Sequence, residues 1–321
     1  MNSKSAASEH LLDYVTGVFY FDGAIACPGM CMSQVLSHFA QLFPKFRAKV
    51  FASSPASSPS TSPPRSPAES RALPLEDPSL QRWLSALSPM HAISAIVRRP
   101  ATSGEVFDHH LVVTIEQAET LADRAQFTGT RTDTTISFTL RADLVRSLAF
   151  ASDDAEARVS QWFGELVRVL TSNDPCYFGF VHTMDACETS SGTLHNSLKI
   201  GGVPWGELMT DRVWWAHRER RIDCVRGVYW GNYYGPALCR LLSKSPNLTE
   251  WIEQKLHQPE WRSPYHPLFE KHANGGLFFG LCDTPVRFAS ETCGGQYAIN
   301  SKVGPIATEI WMKLSERGLT P

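Results

Sequence analysis

Long hydrophobic runs are missing from this chain. None of its 321 residues falls in a stretch approaching the roughly 20 apolar residues that span a bilayer. The basic-then-apolar order of a secretory signal is missing as well: Ser5 to His10 are polar where the apolar region would begin, and Asp13 interrupts LLDYVTGVFYF. A cytoplasmic protein with no membrane partner is the expectation. An excess of one charge is also absent, because thirty Lys and Arg face thirty-two Asp and Glu for a formal net charge of -2. Bulk electrostatics therefore draws the chain neither to nucleic acid nor to anionic lipid, and a nucleic-acid partner would need a local patch.

Cysteine is sparse. The eight thiols, Cys27, Cys31, Cys176, Cys187, Cys224, Cys239, Cys282 and Cys293, are too few for a disulfide framework in a chain this long and read as reduced and mostly buried. Cys27 and Cys31 form a C-x3-C without a second pair at ligand spacing, which favours core or loop thiols over zinc. No phosphate-cradling glycine loop, dinucleotide fingerprint, nucleophile elbow or metalloprotease helix is found either, so neither a cofactor nor a metal is expected.

What the sequence does hold is apolar and aromatic: 43% hydrophobic and 11% aromatic residues suffice for one large core or two small ones. YVTGVFYF, Tyr14 to Phe21, has the β-branched and aromatic content of a strand and runs into the turn signal Asp22-Gly23. Met32, Val35, Leu36, Phe39 and Phe43 then recur at helical spacing before Pro44. Between about 53 and 78 the chain becomes Ser/Pro-rich (SSPASSPSTSPPRSP), and such a segment buries too little apolar surface to offset the entropy of ordering. It reads as a disordered insert in a single domain over 1–321.

Further on, FDHHLVVTIE (107–116) and TTISFTL (134–140) read as strands, the second with the period-2 alternation of Ile136, Phe138 and Leu140. Asp153 is placed to cap a helix whose stripe is Val159, Trp162, Phe163, Leu166, Val167 and Leu170. Cys176 to His182 returns as a strand, followed beyond Trp205 by a strand over Val225 to Tyr234. Gly235 and Pro236 then open a helix, 248–256 continues helically, 276–281 is a strand, and Gly304-Pro305 opens a last helix with Ile306, Ile310, Trp311 and Leu314 inward. The sum is an α+β fold with mainly antiparallel sheet and amphipathic helices. Strand followed by amphipathic helix near both Tyr14 and Thr134 suggests two related β-α halves.

Candidate chemistry is thin. Asp108-His109-His110 could supply metal ligands or an acid–base pair, but neighbours on a strand point to opposite faces and would not converge. A cysteine nucleophile could pair with His182, His195 or His217, yet no thiol has an activating context, and burial in an apolar helix would raise the pKa of Cys239. The densest constellation interleaves Trp214, Trp215, Tyr229, Trp230, Asn232 and Tyr234 with Arg218, Arg220, Arg221 and Arg226. Arg, Trp and Tyr are the residue types of interface hot spots and also of base stacking, and Glu207, Asp211, Glu219 and Asp223 dilute the positive field. Trp214, Trp215, Arg218, Arg226, Trp230, Asn232 and Tyr234 are the candidate partner contacts. Alternation would put half of the 225–234 strand in the core.

VRGVYWGNYYGPALCRLL, then GGLFFGLCDTPVRF, then QYAINSKVGPIA, occur in an order that resembles bacterial type VI secretion immunity proteins and the related polymorphic-toxin immunity family catalogued as number fifty-two. Leu242-Ser243-Lys244 departs from the Gly-Gly that commonly closes the helix in that pattern. The resemblance implies a cytoplasmic antidote that binds a cognate toxin, nucleases being one class of target. The alternatives are a thiol- or His-dependent enzyme and, third, a nucleic-acid-binding protein using the Arg and aromatic stretch.

Overall fold

The computed structural model describes residues 14–53, 68–69, 72–87, 92–98, 111–116, 133–149, 155–173, 175–184, 199–200, 203–204, 224–225, 227–293 and 303–320. The chain divides into two compact units. The first comprises residues up to Gly17, Arg141–Val167 and Tyr177 onward; the second comprises Val18–Leu140 and Arg168–Cys176. Sequential segments are therefore interleaved, and the compact units do not coincide with two successive β-α halves. Pro28–Leu42 lies between two strands as a single helix, whereas Ala155–Thr171 is preceded by a second helix, Ala142–Ala149, before the strand Asp133–Arg141.

In the second unit the strands are most of β1 (Tyr14–Asp22), then β2 (Arg47–Ser53), β3 (Ala68–Glu69), β4 (Leu73–Pro74), β5 (Ala92–Arg98), β6 (Leu111–Glu116) and β7 (Asp133–Arg141). Their order runs β7-β6-β5-β2-β3, with β4 also on β2, and these pairs are antiparallel. The registers align buried side chains in rows. Ala48, Val97, Leu111 and Leu140 form one, Val50, Ala95, Val113 and Phe138 the next, and Ala52, Ile93, Ile115 and Ile136 the third. A two-residue side-chain period across matched strands gives one apolar face, and helix α1 (Pro28–Leu42) covers it. Val35, Leu36 and Phe39 of α1 are fully buried, and Phe39 meets Phe138 edge-on at 5.8 Å.

The Ser/Pro-rich segment gives way to order earlier than its composition predicts. Ala68–Glu69 and Leu73–Pro74 pair with β2, Leu75 is buried, and Asp77 caps α2 (Pro78–Ser85) by accepting a hydrogen bond from the Ser79 N–H at 2.7 Å. The stretch 54–67 lies outside the described residues. Gly29 of α1 lies against the Leu84 carbonyl of α2, where any Cβ would collide with backbone.

The first unit holds α3 (Ala142–Ala149), most of α4 (Ala155–Thr171) and β8 (Cys176–Met184), the short pair β9 (Lys199–Ile200) and β10 (Val203–Pro204), and β11 (Gly231–Tyr234). Helices α5 (Pro236–Leu242), α6 (Leu248–Leu256) and α7 (Pro259–Tyr265) follow. The hairpin β12 (Leu268–Lys271) and β13 (Leu277–Gly280) comes next, and then α8 (Pro285–Cys293) and α9 (Val303–Glu316). The order β12-β13-β11-β8 is antiparallel throughout. The stripe Val159, Trp162, Phe163, Leu166, Val167 and Leu170 of α4 is buried as its spacing predicts, and Gly235 and Pro236 start α5. The Asp153 cap lies outside the described residues. The architecture is α+β with antiparallel sheet.

Candidate functional site

The aromatic segment is shorter as a strand than its sequence predicts. Among its described residues only Gly231–Tyr234 pair, between β13 and β8. The reason is Asn232, fully buried, whose side chain accepts from the Tyr229 N–H at 2.8 Å and donates to the Tyr229 carbonyl at 2.9 Å. One amide thus takes both backbone groups that a ladder partner would have taken. Tyr229 is free to turn out of register and stack on Phe180 with ring centroids 4.1 Å apart.

Both faces of β11 are buried, so the expected split into core and open faces does not hold. Trp230, Asn232 and Tyr234, three of the candidate contacts, are at zero exposure. Trp230 packs against Phe163 of α4 at 5.3 Å, and its indole N–H donates to the Cys282 carbonyl at 2.8 Å. Tyr234 stacks on Phe178 and meets Phe279 edge-on. These side chains hold the fold together and present no surface. Trp214, Trp215, Arg218 and Arg226 lie outside the described residues, as do Asp108-His109-His110, His195, His217 and Cys187.

The thiols follow the expectation of free, mostly buried cysteines: among the described residues Cys31, Cys176, Cys224, Cys239 and Cys282 are buried and Cys27 is exposed, all free. Burial pushes the Cys239 thiol up to about 12, and the thiol donates to the Tyr234 carbonyl at 3.2 Å. His182 is enclosed by the rings of Tyr229 and Phe288, its Nδ1 has no hydrogen-bond partner, and burial pushes its pKa down to about 3. Among the described residues no group of three or more His, Cys, Asp or Glu could hold a metal ion.

One polar constellation was not anticipated from sequence. It begins where β13 ends. The Trp230 clip holds Cys282, and the next residue, Asp283, is fully buried between strand and helix. Thr284 then caps α8, its hydroxyl accepting from the Arg287 N–H at 3.1 Å, and Pro285 takes the first turn. Asp283 Oδ1 accepts from His266 Nδ1 at 2.8 Å, and Oδ2 accepts from Arg287 Nη1. Arg287 also reaches Glu156 Oε2 at 3.4 Å and lies over the Tyr265 ring at 5.2 Å.

His266 ends α7 in the left-handed region, φ 39° and ψ 57°, with its N–H bonded to the Arg262 carbonyl. Gly or Asn serves there more cheaply, and the bond to Asp283 offsets the strain. Because a carboxylate only accepts, a neutral His266 must carry its proton on Nδ1 and offer Nε2 as an acceptor. Burial, then repulsion from Asp283, raises the Glu156 carboxyl above its ordinary range, against the pull of Arg287 and His266. For Arg287, burial works against the charge, but Asp283 and Glu156 outweigh it and raise its pKa. The arrangement is a salt-bridged network in which Asp283, sealed in the interior, is held by His266 on one oxygen and by Arg287 on the other, and Arg287 links it to Glu156. A sequence signal existed in CDTP, an acid ahead of a Thr-Pro helix start.

No protein-family model and no curated protein matches the chain. Among solved structures it is similar to a Pseudomonas aeruginosa type VI secretion system protein, with 10% identity and a TM-score of 0.43. That similarity covers 84% of this chain and 66% of the other, just under two thirds of its length. Similarity at that level assigns neither family nor activity. Among the described residues no helix is long and apolar enough to cross a membrane.

Proposed function

We propose that this chain is an immunity protein, which binds a cognate secreted bacterial toxin and neutralises it by covering its working surface. A nuclease effector is one class of target. The observation that carries the reading is the packing of the segments in which the sequence resembles such proteins. VYWGNYYG and GGLFFGLCDTPVRF, some forty residues apart, become adjacent strands joined residue by residue from Gly231 with Gly280 to Tyr234 with Leu277. Leu281 N–H donates to the Trp230 carbonyl, and α8 packs on α9, the helix that carries VGPIA. Residues 296–302 of the third segment lie outside the described residues. The resembling residues thus form one interior framework, as expected of a signature that specifies a fold.

Covering a partner requires complementary surface and no bond chemistry. Under this reading Trp214, Trp215, Arg218 and Arg226 contribute contacts, while Trp230, Asn232 and Tyr234 act from inside. Co-expression with the products of adjacent genes tests it. One neighbour should arrest growth when expressed alone, and this chain should relieve the arrest and co-purify with it. If no neighbour is toxic, or the pair does not associate, the reading is abandoned.

A further inference from the structure

Strand β12 ends its sheet: among the described residues it pairs with β13 and with no strand on its other side. Antiparallel neighbours alternate between pairs that exchange backbone hydrogen bonds and pairs that do not, so one bond fixes the phase of the ladder. The His272 N–H donates to the Gly276 carbonyl at 2.8 Å, which makes Glu270–Phe278 and Leu268–Gly280 the bonded pairs. On the far side of β13 the Leu281 N–H donates to the Trp230 carbonyl at 2.8 Å, the phase this requires. Phe269 and Lys271 therefore turn their N–H and C=O away from β13, toward the open edge.

We propose that this edge of β12 receives an extended segment of a partner protein, added antiparallel as a further strand. The inference rests on the reading above in taking that partner to be the toxin. A second copy of this chain does not fit. With Phe269 opposite Lys271 in both directions, the two Glu270 side chains meet at the close, non-bonded position. Shifted either way, Lys271 faces its own copy or faces Pro267, which has no N–H to give. The side chains of β12 set the sequence that does fit. Phe269 and Lys271 share a face, with Lys271 Nζ 5.6 Å from the Phe269 ring centre, and Glu270 points to the other face, beside Gly164 of α4. An incoming strand thus places an acid opposite Lys271, a base opposite Glu270 and an apolar residue opposite Phe269. Lys271 also meets Glu253 at 2.8 Å, but its side chain is 60% exposed and such a pair is weak enough to be shared. Backbone bonds supply affinity here, and the three side-chain positions supply selectivity.

The first test uses the peptide acetyl-Thr-Glu-Lys-Val-Val-Thr-amide as probe and follows the backbone amides of the full chain by NMR. The probe should shift the Phe269 and Lys271 amides saturably. N-methylation of its Glu or its first Val removes a donor aimed at β12 and should weaken binding at least about tenfold, whereas N-methylation of its Lys, whose N–H points away, should change it less than about threefold. Exchanging Glu and Lys in the probe should cost about fivefold. An unsaturable response, or one indifferent to which nitrogen is methylated, would overturn the proposal. In the toxin complex the same two amides should exchange with deuterium at least about tenfold more slowly. Lys271→Pro, which deletes an outward N–H that the fold does not use, should raise the toxin Kd at least about tenfold with an unchanged urea midpoint. Should that variant fail to fold, the exchange measurement on the wild type decides. A toxin bound by the wild type that leaves both amides unprotected would sink this site and leave the immunity reading standing. A wild type that binds no neighbouring toxin would remove the immunity reading and with it the assignment of this edge to a toxin.

Discussion

The two sheet regions solve burial differently. Along β5 and β6 exposure alternates, with every second side chain buried and the others half-buried, whereas all four residues of β11 and all four of β13 are buried. The first arrangement has one committed face and tolerates change on the other. The second has no spare face, so backbone, aromatic rings and a buried amide must all be satisfied at once. A one-faced sheet is specified by a pattern, and a two-faced one by individual contacts.

This contrast is best broken at its most buried point. Trp230→Ala should cost about 3–5 kcal/mol in urea unfolding, because it empties a volume packed against Phe163 and strands the Cys282 carbonyl. If the loss were below 1 kcal/mol by the same measurement, β11 would not be the framework described. Asn232→Ala should cost about 2–3 kcal/mol, since the N–H and carbonyl of Tyr229 lose their partner in the interior. Asn232→Asp should rescue only the N–H, because a carboxylate cannot donate to the carbonyl.

Acid sharpens the comparison without altering a residue in β11. His182 titrates near 6.5 when unfolded and is pushed down to about 3 when folded. Above pH 6.5 neither state binds the proton and no penalty exists. As pH falls toward 3 only the unfolded chain takes it up, so stability drops by roughly 1.4 kcal/mol per pH unit, about 2 kcal/mol by pH 5. Stability against pH for the wild type and His182→Phe should diverge over that window, and parallel curves would rule the mechanism out. At the small end, Val112→Thr on the half-buried face of β6 should cost less than about 1 kcal/mol in the same unfolding assay.

Legibility in the sequence followed the same divide. Ile136, Phe138 and Leu140 announced β7 because alternation survives where one face is polar, and the α4 stripe from Val159 to Leu170 was readable for the corresponding helical reason. The segment 225–230 read as strand because its composition is that of a strand. What ended the ladder was a single amide three residues away, which no periodicity encodes. The Asp283–His266 pair was illegible because 17 residues, a hairpin and a helix end separate partners that meet only in space. The order of Ala68–Glu69 and of Leu73–Pro74 was hidden for a related reason, since both pair with β2 and owe nothing to their own composition.

The indole of Trp230 reaches across to the Cys282 carbonyl, one residue before Asp283. One backbone turn therefore sets two things at once: the carbonyl that anchors the interior indole and the carboxylate that holds His266 and Arg287, so a shift at either is felt at the other.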